Sequence, residues 1–280
     1  MSAKKKKKIS PRNPSKSARR TSVGGKLFVF ALLGVFGILS LSVLAYFAPE
    51  IGNHLYNVES LNRLYPKIDL KANKRNVSLS KKRPYYWVSY NELENHTIGA
   101  VIVAEDWAFF QHGGLDINQI QSALEKTVQN KKRLRGASTI TQQVAKNVYL
   151  SFQRSYVRKI KELIITLALE RYIPKKKIIE IYLNIAEWGP NIYGISSAAR
   201  YYFNKPAQFL TPRESAFLAM LLPNPIKYSA SFHQKALTNF GEKRVQDILT
   251  KMEKAKFISE EVLFNAQLSI LPFENETDNQ

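Results

Sequence analysis

Residues 98–116 read IGAVIVAEDWAFFQHGGLD. The run Ile98 to Ala104 is uncharged and apolar, and Ser89 and Glu92 ahead of it have the spacing of a capping box, which predicts a helix from Ser89 to about Phe110. Glu105 and Asp106 stand side by side at the end of the apolar run. Acids near a helix C-terminus oppose its dipole, so their placement calls for a compensating reason. One reason is chemical: Glu105 follows the apolar face of Val101 and Ala104, and a carboxyl in a partly desolvated cleft has a raised pKa and suits a general base. The bland alternative is a solvated helix end with an ordinary surface glutamate, and this stretch alone does not choose between them. Asp106 and His112 suit hydrogen bonds that hold the turn supplied by Gly113 and Gly114.

Working outward, residues 135–147 read RGASTITQQVAKN, small residues leading into a helix expected to begin near Thr139. Exposed backbone N–H groups and polar side chains at such a start suit an anion or a sugar. Lys146 lies one turn beyond Gln142 and Gln143, so the three can address one face. Residues 158–162 read RKIKE, placing Arg158 and Glu162 on one helix face with Lys161 as neighbour. A surface ion pair is the plain account. A carboxylate flanked by Arg and Lys also stays ionised and can organise cations for a phosphate. Residues 181–194, IYLNIAEWGPNIYG, offer aromatics that either stack on a sugar or pack as a loop, and the structural reading is preferred. Leu221 to Pro225 reads as a helix stop.

The remaining signals are helical. Asp116 caps a helix over 117–130, another covers about Tyr156 to Tyr172, and one starts after Pro174. Thr211-Pro212-Arg213-Glu214 is a second capping box, and Lys235 to Phe257 reads as the last long amphipathic helix. No run of alternating strands stands out. The fold class is mostly α, with one domain over 89–270.

Composition narrows the rest. The chain has 280 residues, 42 Lys and Arg against 22 Asp and Glu, no cysteine and 45% apolar residues. That excludes a disordered polyelectrolyte, a disulfide-stapled scaffold and any thiol nucleophile. Residues 1–26 hold ten Lys or Arg and no acid, and read as a solvated tail. Residues 27–49 follow without a charge, long enough to span ~30 Å of hydrocarbon as one transmembrane anchor. The basic tail orients the N-terminus to the cytoplasm and the rest outside, which makes nucleic acid a poor partner for the remaining net charge of +10. Residues 50–88 are expected to form a juxtamembrane linker, partly packed on the membrane or the domain.

Taken in order, EDxxFxxHxG at 105–114, GASTITQQxxKN at 136–147, RKxxE at 158–162 and IYLNxxExGxxxYGxxxAAxxYF at 181–203 resemble the family 51 glycosyltransferases, the peptidoglycan transglycosylases. The short chain looks most like the monofunctional members. The resemblance implies a lysozyme-like α domain with a membrane-dipping part, behind a single transmembrane helix in the bacterial inner membrane. It implies lipid II and the growing glycan chain as partners, and division or elongation proteins as companions. No cofactor is obligatory, no metal ligand is assigned, and Mg or Mn at the pyrophosphate is the one addition the chemistry admits. By motif position Glu105 is the general base and Glu162 the donor-site carboxylate. Lys146, Arg158 and Lys161 neutralise the leaving pyrophosphate. Ser138, Thr139, Gln143 and Asn147 bind donor sugar or phosphate, and Asp106, Phe109 and His112 support Glu105. Ala137 stands where many relatives carry a second glycine. A lytic lysozyme-like enzyme or an inactive anchored scaffold are the alternatives.

Overall fold

The apolar run at Ile98 becomes the axis of the fold, helix α1 (Asn95–Glu105), buried from Thr97 through Val103. The computed structural model describes residues 58–71, 74–130, 138–150 and 155–277, with isolated positions at 34, 37, 42 and 52. The chain divides into residues 1–49 and 50–280, and the second unit is the one described. The expected membrane span at 27–49 lies outside the described residues but for three isolated positions. Among the described residues no helix is long and apolar enough to cross a membrane.

The Ser89 box forms, with Glu92 accepting the Ser89 N–H at 2.7 Å, but it caps only a single 3-10 turn, Tyr90–Glu92. Leu93 is then extended and buried, so α1 begins later and ends at Glu105, short of Phe110. Behind α1 come α2 (Ile117–Asn130), α3 (Ile140–Tyr149), α4 (Tyr156–Tyr172), α5 (Lys175–Ile185) and α6 (Ile195–Phe203). Next are α7 (Pro212–Leu221), two short helical turns, α8 (Asn239–Lys254) and α9 (Glu260–Leu268). Helices α7 and α8 pack on α1 and on each other, and α3 packs on α4 and α5. Gly99 in α1 leaves room for Phe257, just past α8, because a Cβ there would stand 2.3 Å from the Phe257 ring. The expected last helix starts only at Asn239, where Thr238 Oγ1 accepts the Gly241 N–H, and α9 follows it.

The fold is mostly α as expected, with two short sheets where no strand stood out in the sequence. Strands β1 (Tyr65–Lys71) and β2 (Lys74–Ser80) form an antiparallel hairpin with Ile68 opposite Val77, and β3 (Glu187–Gly189) pairs with β4 (Ile192–Tyr193). Residues 58–88 are therefore folded onto the domain. Trp87 Nε1 donates to Glu180 at 2.9 Å, and Val88 exchanges two hydrogen bonds with the Asn184 amide. Trp188 is fully buried, so the Glu187–Gly189 turn packs as a structural element.

Candidate active site

The turn that follows α1 clasps the N-terminus of α3, whose first N–H groups have no partner within the helix. Asp106, only 1% exposed, accepts the Ile140 N–H on Oδ2 at 2.9 Å and meets His112 Nε2 on Oδ1 at 2.7 Å. The Gly114 N–H donates to His112 Nδ1 at 3.0 Å, so the ring carries its proton on Nε2 and donates it to Asp106. Thr139 caps α3 and donates its hydroxyl to the Gly114 carbonyl at 2.7 Å. Gly114 has φ +88° and a Cβ there would come within 2.7 Å of Thr166, so the turn requires glycine. The buried face of Phe109 lies beneath this turn, with Lys175 Nζ 4.4 Å from its ring centre.

The clasp sets Glu105 beside Gln143. Gln143 Nε2 donates to Glu105 Oε2 at 2.7 Å, and the Tyr182 hydroxyl donates to Gln143 Oε1 at 3.3 Å. Burial raises the Glu105 carboxyl above the usual carboxylate range. The Gln143 hydrogen bond and the charges of Lys146 and Arg244 pull it back, while Asp106 adds to the rise. Glu105 is thus a half-buried carboxyl whose surroundings disfavour its charge.

Gln143 also lines a cavity of about 330 Å³ with Ser138, Gln142, Lys146, Arg158, Lys159 and Glu162. Glu162 is buried at its floor, taking Arg158 Nη1 on one oxygen at 3.2 Å and Lys159 Nζ on the other. Burial lowers the Lys146 pKa, with Glu162 opposing and Arg158, Arg75 and Lys159 adding to the fall. Arg75 reaches this group from the β1–β2 hairpin. Its guanidinium donates to the Asn147 carbonyl and, at 3.5 Å, to the Asn147 side chain, and it lies 5.4 Å from the centre of the Tyr193 ring. A partly desolvated carboxyl near a cation-lined cavity suits a displacement whose leaving group is anionic.

A family model described as transglycosylase matches residues 73–253. The chain belongs to the transglycosylase family. It is 41% identical over 207 residues to a biosynthetic peptidoglycan transglycosylase of Azoarcus sp. (strain BH72), covering 72% of this chain and 86% of that one. Proteins of the same description from Nitrosomonas eutropha and Mannheimia succiniciproducens are 42% and 50% identical, over 62% and 52% of this chain and 70% and 60% of theirs.

The transglycosylase motifs divide their work in ways the sequence does not state. Of the residues expected to bind substrate, Ser138, Gln143, Lys146 and Arg158 line the cavity with Glu162. Asp106, Phe109, His112 and Thr139 stand behind it and hold its walls, and Asn147 anchors Arg75. Gln142 lines the cavity while its amide completes the Thr139 capping box. Lys161 is not among the lining residues. Positions three and four before Glu162 share its helix face, and Lys159 and Arg158 pair with it from there. Arg75, Tyr182 and Arg244 were not expected. Only contacts far apart in sequence bring them here. The segment from 131 to 137, with Gly136 and Ala137, lies outside the described residues.

Proposed function

We infer that the chain is a peptidoglycan glycosyltransferase of bacterial cell wall synthesis that polymerises lipid II into β-1,4-linked glycan strands. The observation that carries this reading is Gln143, one side chain that bonds the partly buried base Glu105 and lines the cavity of Lys146, Arg158, Lys159 and Glu162. Glu105 removes the proton from the 4-hydroxyl of the acceptor sugar, and that oxygen attacks the anomeric carbon of the lipid-linked donor. The bond to the diphosphate breaks from the opposite face, so the α-linked donor becomes a β-link without a covalent enzyme intermediate. Lys146, Arg158 and Lys159 receive the charge of the departing undecaprenyl pyrophosphate, and Glu162 aims two of them. A lytic enzyme of similar fold has no use for this cation set.

Residues 27–49 anchor the protein in the inner membrane with a cytoplasmic N-terminus and an extracytoplasmic domain, which the charge asymmetry of the sequence supports. Tyr156, Val157 and Ile160 at the start of α4 are exposed apolar side chains suited to dip into the same bilayer. A resident divalent ion fits these residues poorly. The cavity lining holds one carboxylate, Glu162, already paired by Arg158 and Lys159, and among the described residues no cluster of three metal-binding side chains occurs.

The test is polymerisation of purified lipid II by the detergent-solubilised full chain and by its Glu105→Gln variant. Glycan strands from the wild type and none from the variant are expected. An inactive wild type, or an equally active variant, overturns the reading.

A further inference from the structure

Tyr182 sits in α5 with its side chain buried, and the proposed reaction gives it no task. Its hydroxyl donates to Gln143 Oε1 at 3.3 Å while Nε2 of the same amide donates to Glu105 Oε2 at 2.7 Å. An amide has two ends of nearly equal shape and opposite polarity. Towards Glu105 they act oppositely, since the NH₂ end favours a carboxylate and the oxygen end repels it. If the amide turned over, its oxygen would face the Glu105 oxygens and the phenol proton would lose its acceptor inside the protein.

We propose that Tyr182 is a positioning residue, which locks the Gln143 amide with its NH₂ on Glu105 and so keeps that carboxylate ready to accept a proton. The inference rests on reading Glu105 as the general base. Burial, aided by Glu105 and Asp106, holds the Tyr182 hydroxyl far above its ordinary pKa, so it remains a donor. The other charges that face Glu105 are Lys146 from α3, Arg244 from α8 and Asp106 beside it. Tyr182→Phe leaves all three in place and removes only the hydroxyl that orients the amide.

The experiment is the pH dependence of kcat/KM for lipid II polymerisation by the detergent-solubilised full chain. In wild type the acid limb reports the ionisation of Glu105 in the free enzyme. Tyr182→Phe should move that limb upward by about one pH unit, which makes the variant about tenfold slower below the limb and equal to wild type well above it. Gln143→Leu should move the limb in the same direction, and adding Tyr182→Phe to it should move it no further. A Tyr182→Phe profile that superimposes on wild type, or one that falls equally at every pH, overturns the proposal. So does independent addition of the two shifts. Should Tyr182→Phe not fold, an unmoved limb in Gln143→Leu overturns it by itself. Failure of the wild type to polymerise lipid II strikes the general-base reading instead, so the two failures are distinguishable.

Discussion

Replacing Asp106 by asparagine should loosen the clasp between α1 and α3, although the two side chains have the same shape. Three donors set the polarity there: Gly114 N–H into His112 Nδ1, His112 Nε2–H into Asp106 Oδ1, and Ile140 N–H into Asp106 Oδ2. Because Nδ1 already accepts, the ring cannot offer Nε2 as an acceptor in exchange. Asparagine brings one oxygen to two donors, and its NH₂ must face the donor left over. At a residue 1% exposed, water does not make good the loss. A hydrogen bond to a charged group is worth ~1.5–3 kcal/mol and a stranded buried donor costs ~1–3 kcal/mol; the two overlap, so the expected loss is about 3 kcal/mol. For a folded unit of this size that lowers Tm by roughly 6–12 °C. Thermal melts and urea titrations with an unchanged slope measure it. Polymerisation should fall too, because Glu105 is the residue next to the clasp. A variant that melts within about 2 °C of wild type and polymerises at the same rate would refute both the tautomer and the clasp.

Glu105→Gln should make the protein more stable while abolishing glycan synthesis. Burial raises the folded-state pKa of Glu105, so folding favours the protonated acid. That preference is complete below the unfolded value of ~4.3 and is lost as pH rises through the folded value, so the variant's advantage in Tm should open across that window and persist at neutral pH. Lys159→Ala should lower kcat/KM by about tenfold or more, the worth of one charge-assisted contact, while Lys161→Ala stays within about twofold. Arg75→Ala should raise KM for lipid II by about tenfold, since it removes the hairpin cation that lies near Lys146 and its hold on Asn147, with steady-state rates at varied lipid II as the measure.

The helical frame was legible because its signals are local. Asp116, Thr139 and Thr211 each cap the helix their spacing predicts, and the starts of α2, α3 and α7 follow from them. The β1–β2 hairpin was not legible. Its apolar residues alternate, at Ile68 and Leu70 and again at Val77 and Leu79, but Lys67, Asp69 and Arg75 between them read as a polar linker until the partner strand is in place. The role of Arg75 depends on Asn147, 72 residues away, and that of Tyr182 on Gln143, 39 residues away. A hydroxyl inside the apolar run of α5 has no local mark that separates it from a core tyrosine.

The hardest part of the site to read is the division of labour between neighbours. Glu105 meets Gln143 while Asp106 beside it clasps α3; Ser138 lines the cavity while Thr139 caps the helix; Gln143 reaches Glu105 while Gln142 closes the capping box. In each pair the two residues offer similar chemistry, and only the direction of each Cα–Cβ bond decides which partner each one meets. Position alone can settle this where a helix fixes the geometry, as it does for Arg158 and Lys159 against Lys161. At Glu105–Asp106 the chain leaves the helix, and Asp106 adopts φ −159° and ψ 73°, outside helical geometry. No periodicity reaches across that break. The residue that holds the fold and the residue proposed to accept the proton are separated there by one peptide unit, so a structural substitution and a chemical one at adjacent positions should both lower polymerisation, and only the melting temperature tells them apart.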